Sequence, residues 1–181
     1  MNIPNLITLL RIILVPIIVI LLIQGSFFKA LIVFVVAGLS DALDGFLARV
    51  MNQQTVLGAY LDPIADKALL ASSFVTLSVL HIVPSWLAVI VISRDFIILL
   101  GISVLSIMSI SVEIRPTYIS KVTTALQLIT VLLALSLRSL PFEVNGIWSL
   151  VVYWITALFT IASGFNYMAR GIGLINRNTK K

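Results

Sequence analysis

Six apolar runs joined by short polar links fill this chain, and they restrict it to helices that cross a membrane. A span needs about 20 apolar residues. Surrounded by lipid, it must satisfy every backbone hydrogen bond internally, which a helix does within one segment. The runs are Leu9–Ile23, Phe27–Arg49, Leu57–Leu80, Trp86–Met108, Tyr118–Leu137 and Ile147–Ile172. Of the 181 residues, 60% are apolar and 10% charged, against about 25% charged in soluble domains. The expectation is an all-α integral membrane protein: six transmembrane helices in one membrane domain over residues 1–181. The first run is short, and Asn2-Ile-Pro-Asn5 precedes it. Residues 2–11 therefore read as an interfacial segment, bent at Pro4 and Pro16, with Arg11 near the headgroups. That run lacks a basic start and a small-residue cleavage site, so no cleavable signal peptide is expected.

The links alternate in charge. Met51–Thr55, Ser109–Pro116 and the tail, with their flanks, carry Arg49, Arg115, Lys121, Arg170, Arg177, Lys180 and Lys181. Gln24–Ser26, Ile82–Pro84 and Arg138–Gly146, with their flanks, carry Lys29 and Arg138. The positive-inside rule places the first set, and both termini, on the cytoplasmic (matrix) side. A net charge of +5 suits contact with anionic membrane lipids. No basic patch with interleaved aromatics exists, so nucleic acid is not an expected partner. Trp86, Trp148, Trp154, Tyr118 and Tyr153 read as interfacial or packing aromatics, and His81 as an exposed loop residue on the far side.

Four of the seven acidic residues fall between Asp41 and Asp66. Asp41 and Asp44 are spaced i, i+3; Asp62 and Asp66 are spaced i, i+4. On helices, each pair shares one face. A carboxylate at membrane depth costs about 2.5–3.5 kcal/mol on insertion scales, and four together repel. Divalent cations are the least costly remedy. Oxygen ligands suit Mg²⁺, Mn²⁺ or Ca²⁺, and the chain has no Cys and a single His to serve a softer metal. The bland alternatives are an ion pathway or salt-bridged helix glue.

The full pattern is Asp41-x2-Asp44-Gly45-x2-Ala48-Arg49-x8-Gly58-x3-Asp62-x3-Asp66. At every fixed position it resembles the signature of the CDP-alcohol phosphotransferase family. The resemblance implies transfer of a phosphatidyl or similar group from a CDP-linked donor to an alcohol, with release of CMP. It also implies a homodimer. CDP binding would fall to Asp41, Asp44, Gly45, Ala48, Arg49, Gly58 and Asp62. The glycines and Ala48 allow close approach, and Arg49 offers a cationic fork to phosphate. Asp41, Asp44 and Asp62 can bridge two divalent cations, Mg²⁺ or Mn²⁺. Asp66 is a general base for the attacking hydroxyl, a fourth metal ligand, or both. Lys67 reads as a charge-balancing neighbour. Asp41 lies 14 residues after Phe27, about 21 Å at 1.5 Å per residue. That depth predicts a polar cavity below the headgroup plane, open to the cytoplasmic side.

A second constellation concerns the acceptor. Arg94-Asp95 lies mid-run, either as an internal ion pair or with Arg94 binding an anionic acceptor. Lys121 is a second candidate acceptor contact, and Arg115 reads as a snorkelling cap or a third. Gln127 is buried by its position and needs a partner.

Secondary markers divide the family. Asn2-Ile-Pro-Asn5 through Arg11, and Ile92-Ser-Arg-Asp95, resemble both the phosphatidylglycerophosphate synthases and the eukaryotic-type cardiolipin synthases. Leu57-Gly-Ala-Tyr-Leu-Asp-Pro63 and Arg115-Pro-Thr-Tyr-Ile-Ser-Lys121 are more similar to the cardiolipin synthases. The implied reaction is CDP-diacylglycerol plus phosphatidylglycerol giving cardiolipin and CMP, in a bacterial or mitochondrial inner-membrane setting. The alternative acceptor is glycerol 3-phosphate; a non-enzymatic cation carrier is the remote one.

Overall fold

The computed structural model describes the backbone of residues 3–50, 56–107, 117–139 and 146–178, and the side chains of 9–40, 64–105, 107, 117–139 and 147–174. Its described secondary structure is entirely helical: α1 (Ile3–Ile23), α2 (Phe27–Val50), α3 (Val56–Val79), α4 (Ser85–Ile107), α5 (Tyr118–Ser139) and α6 (Gly146–Asn178). The apolar runs anticipate the cores of all six. They miss the two ends: α1 begins at Ile3, and α6 continues to Asn178. Residues 2–11, expected as an interfacial segment bending into the first span, are from Ile3 onward helical and continuous with the rest of α1. Pro16 sits inside that helix.

Among the described residues, Ser85–Leu105, Tyr118–Ser139 and Ile147–Leu174 are long and apolar enough to cross a membrane. Leu9–Ile23 and Phe27–Ser40 are shorter apolar helical stretches. Large apolar side chains such as Ile23, Val79, Ile107 and Ile147 lie exposed. A water-soluble monomer rarely leaves so many large apolar side chains exposed. The chain is an integral membrane protein.

The helices group into two compact units, residues 1–85 with 131–145, and 86–130 with 146–181. In the first, α1 packs against both α2 and α3. Arg11, Ile18 and Leu22 are fully buried on α1, and their i, i+7, i+11 spacing makes one stripe along the helix. Among the described residues, the α2 core is Ala30, Phe34 and Ala37, and that of α3 is Ala65, Leu69, Leu70, Phe74 and Leu77.

Two turns in this unit close with the same device. Gly25 adopts φ 70°, with Ser26 N donating to Leu21 O at 2.9 Å and Gly25 N to Leu22 O at 3.0 Å. This is a Schellman motif, which satisfies the last carbonyls of a helix. His81 adopts φ 56°, with Ile82 N donating to Leu77 O at 2.9 Å and His81 N to Ser78 O at 3.0 Å. A histidine thus fills the left-handed position that glycine usually takes. It is exposed, as the sequence suggested.

In the second unit, the helices meet along a polar seam. Thr123 Oγ1 donates to Phe159 O at 3.0 Å. Gln127 Nε2 donates to Thr160 Oγ1 at 3.3 Å, so the buried glutamine has its partner. Thr130 and Thr156 share a hydrogen bond of 2.8 Å. Within lipid, apolar contact alone does not drive helices together, and small polar residues supply part of the cohesion. Thr117 caps α5, its Oγ1 accepting from Ser120 N at 3.1 Å. Trp86 and Trp154 lie with ring centroids 5.0 Å apart, tilted by 35°. Trp86, Tyr118, Trp148 and Trp154 are exposed, and Tyr153 is buried.

Candidate active site

Asp41, Asp44, Gly45, Ala48 and Arg49 belong to α2, and Gly58, Asp62 and Asp66 to α3. The backbone is helical at each of these positions, the premise on which the i, i+3 and i, i+4 aspartate spacings are read. Residues 51–55 join the two segments. The side chains of Asp41, Asp44, Gly45, Ala48, Arg49, Gly58 and Asp62 lie outside the described residues, as does Arg115.

Asp66 is described, and its surroundings differ from what its sequence neighbours suggest. Arg11 NH1 donates to Asp66 Oδ1 at 2.6 Å, a charge-assisted contact from α1 to α3. The Arg11 side chain is 0% exposed and that of Asp66 40% exposed. Arg11 is therefore enclosed by protein, where its place near the N-terminus suggested an exposed, snorkelling side chain. Helix from Ile3 onward carries it onto the packed stripe, in register with Ile18 and Leu22. Guanidinium keeps its charge under any physiological condition. At zero exposure it is tolerable only when paired.

The signal for this pairing was present in the sequence. Arg11 stands i−7 from Ile18 in the first apolar run, a core-facing register that its flanking position masks.

The second constellation gathers around Arg94 on α4. NH1 donates to Asp95 Oδ1 at 2.6 Å. NH2 donates to Ser120 Oγ on α5 at 2.6 Å and to Ser163 Oγ on α6 at 2.9 Å. The guanidinium carbon lies 5.8 Å from the ring centroid of Tyr167, within cation–π range. Arg94 is 6% exposed, and its Nε has no hydrogen-bond partner among the described residues. The internal ion pair is thus present, and Arg94 joins three helices. Lys121, adjacent to buried Ser120, is exposed. Ser163 and Tyr167 were not anticipated. Thr156, Thr160 and Ser163 follow i, i+4, i+7 on α6, a small-polar face that could have revealed the seam.

The four aspartates of the motif bring only hard oxygen donors, which suit Mg²⁺ or Mn²⁺ and offer nothing to a thiophilic metal. Asp66 meets one requirement of that fit, because its carboxylate is accessible while its counter-charge is enclosed.

The CDP-alcohol phosphatidyltransferase family model matches residues 1–162. The chain is 36% identical over 187 residues to the human cardiolipin synthase (CMP-forming), covering 94% of this chain and 62% of that protein. It is 32% identical over 185 residues to the CDP-diacylglycerol–glycerol-3-phosphate 3-phosphatidyltransferase of Bacillus subtilis, covering 93% and 94%. It is 33% identical over 178 residues to a probable phosphatidylglycerophosphate synthase of Mycobacterium tuberculosis, covering 94% and 82%. The chain thus spans about three fifths of the human relative and nearly all of the Bacillus one. With the motif helices and the accessible Asp66 in place, the chain belongs to the CDP-alcohol phosphatidyltransferase family.

Proposed function

We propose that the chain transfers the phosphatidyl group of CDP-diacylglycerol to phosphatidylglycerol, forming cardiolipin and releasing CMP. The observation that carries this reading is Asp66, an accessible carboxylate held from behind by buried Arg11 within the family's motif. The acceptor hydroxyl oxygen forms a bond to the phosphatidyl phosphorus. The diphosphate linkage to CMP breaks, and CMP leaves with the bridging oxygen. Asp66 takes the hydroxyl proton, a role for which its accessibility suits it.

Asp41, Asp44, Asp62 and Asp66 would hold two divalent cations, Mg²⁺ or Mn²⁺. When bound, these would neutralise the diphosphate and stabilise the attacking and leaving oxygens. Gly45, Ala48, Arg49 and Gly58, with Asp41, Asp44 and Asp62, would seat the CDP group. Arg94, Lys121 and Arg115 are the proposed contacts for the acceptor phosphate. Exposed Lys121 is the best placed for direct contact; Arg94, occupied by Asp95 and two serines, acts through its fixed charge. The six helices are read as six spans, with the motif cavity open to the cytoplasmic (matrix) face of an inner membrane. The family match runs through both structural units, which supports one membrane domain. A homodimer is the proposed assembly.

A second reading takes glycerol 3-phosphate as acceptor, giving phosphatidylglycerol phosphate. The Bacillus relative favours it, since the match there spans both chains almost completely. An acceptor panel decides: purified chain with CDP-diacylglycerol and Mg²⁺ or Mn²⁺, offered phosphatidylglycerol, glycerol 3-phosphate, inositol or serine. Cardiolipin from phosphatidylglycerol supports the first reading. Product from glycerol 3-phosphate alone replaces it with the second.

A further inference from the structure

Arg11 is a buried cation to which the proposed chemistry assigns no step of its own. Its side chain has no exposed surface, while that of its partner Asp66 is 40% exposed. A contact serving only to fasten α1 to α3 has no need of this asymmetry, and the neighbouring stripe of Ile18 and Leu22 already seats α1 by apolar packing. The 2.6 Å contact from NH1 to Oδ1 instead fixes one oxygen of the carboxylate from its enclosed side. A planar guanidinium imposes direction on its acceptor in a way a point charge does not.

We propose that Arg11 is a positioning residue for Asp66, holding the carboxylate in the orientation in which it serves the metal and the acceptor hydroxyl. This rests on the metal-dependent reading of the motif. Two physical effects of Arg11 on divalent cations oppose each other. Its positive charge, taken alone, repels them, so its removal would tighten metal binding. Its orienting hydrogen bond prepares a ligand, so its removal would loosen metal binding. Loss of such a supporting partner typically costs about 10–100-fold in metal affinity or activity. At 2.6 Å, with the guanidinium immobilised by burial, orientation dominates.

The test is a Mn²⁺ titration of the full chain in nanodiscs, followed by the electron paramagnetic resonance signal of free Mn²⁺. Arg11→Met is expected to weaken Mn²⁺ binding about 10–100-fold. Arg11→Lys, which keeps the charge and its repulsion but loses the directed planar donor, should also bind Mn²⁺ more weakly than the wild type. Because Arg11 acts through Asp66, the double variant Arg11→Met/Asp66→Asn should bind no more weakly than Asp66→Asn alone. Unchanged or tighter binding in both Arg11 variants overturns the proposal, as do losses that add in the double variant. If Arg11→Met does not fold, Arg11→Lys carries the same comparison: weaker binding supports positioning, and wild-type binding refutes it. Failure of the underlying reading looks different: there the wild-type chain itself binds no Mn²⁺.

Discussion

Arg94 and Ser163 stand 69 residues apart in sequence, yet their side chains meet at 2.9 Å. The same NH2 group reaches Ser120 at 2.6 Å, so a single guanidinium nitrogen ties α4 to both α5 and α6. Ser120 immediately precedes Lys121, the proposed acceptor contact. The position of that lysine is therefore set, one residue away, by a buried charge.

Replacing Ser163 by Ala should destabilise the protein by about 1–2 kcal/mol. A hydrogen bond to a charged group is worth about 1.5–3 kcal/mol in water-soluble proteins, and interhelical bonds in membranes average about 0.6 with a maximum near 1.7. Unfolding in mixed micelles measures it. Ser163→Val, which also adds bulk beside Arg94, should cost more than Ser163→Ala. Equal stability of all three proteins would mean that the contact is not formed in the membrane.

His81 holds a left-handed backbone at φ 56° that costs an L-residue about 1–2 kcal/mol. Glycine adopts it freely but loses about 0.5–1 kcal/mol more entropy on folding. His81→Gly should therefore stabilise the fold by about 0.5–1 kcal/mol, and His81→Ala should not. Paired thermal melts check the sign, with phosphatidyl transfer unchanged because His81 lies at the other end of α3 from the motif.

Divalent cation should raise thermal stability as well as activity. A ligand at 100 times its Kd stabilises the folded state by about 2.7 kcal/mol. Melting the chain in EDTA and then in saturating Mn²⁺ should show an upward shift that Asp66→Asn reduces. Equal shifts in both proteins would place the binding elsewhere.

Much of this protein was legible before its structure. The apolar runs located the cores of all six described helices, whose ends fall at polar links. The motif was legible because costly carboxylates stand out in an apolar background. The enclosure of Arg11 was missed for a physical reason: a cation near the start of an apolar run ordinarily snorkels to the headgroups, whereas its i, i+7 register with Ile18 turns it onto the buried stripe. Ser163 and Tyr167 were missed because small hydroxyls and tyrosine are common throughout membrane helices. Their significance came from facing Arg94, a relation between helices that local pattern does not encode. The start of α1 was obscured similarly: Pro4 suggested a bend, yet proline is well accommodated in the first turn of a helix.

The most direct measurement is CMP release from CDP-diacylglycerol and phosphatidylglycerol by purified wild-type chain and Asp66→Asn, each with saturating Mg²⁺ or Mn²⁺. Loss of a general base lowers the rate by about 10²–10⁴-fold, and a drop of that size, with the variant still folded, is the predicted result. Turnover by Asp66→Asn at the wild-type rate would contradict the catalytic assignment.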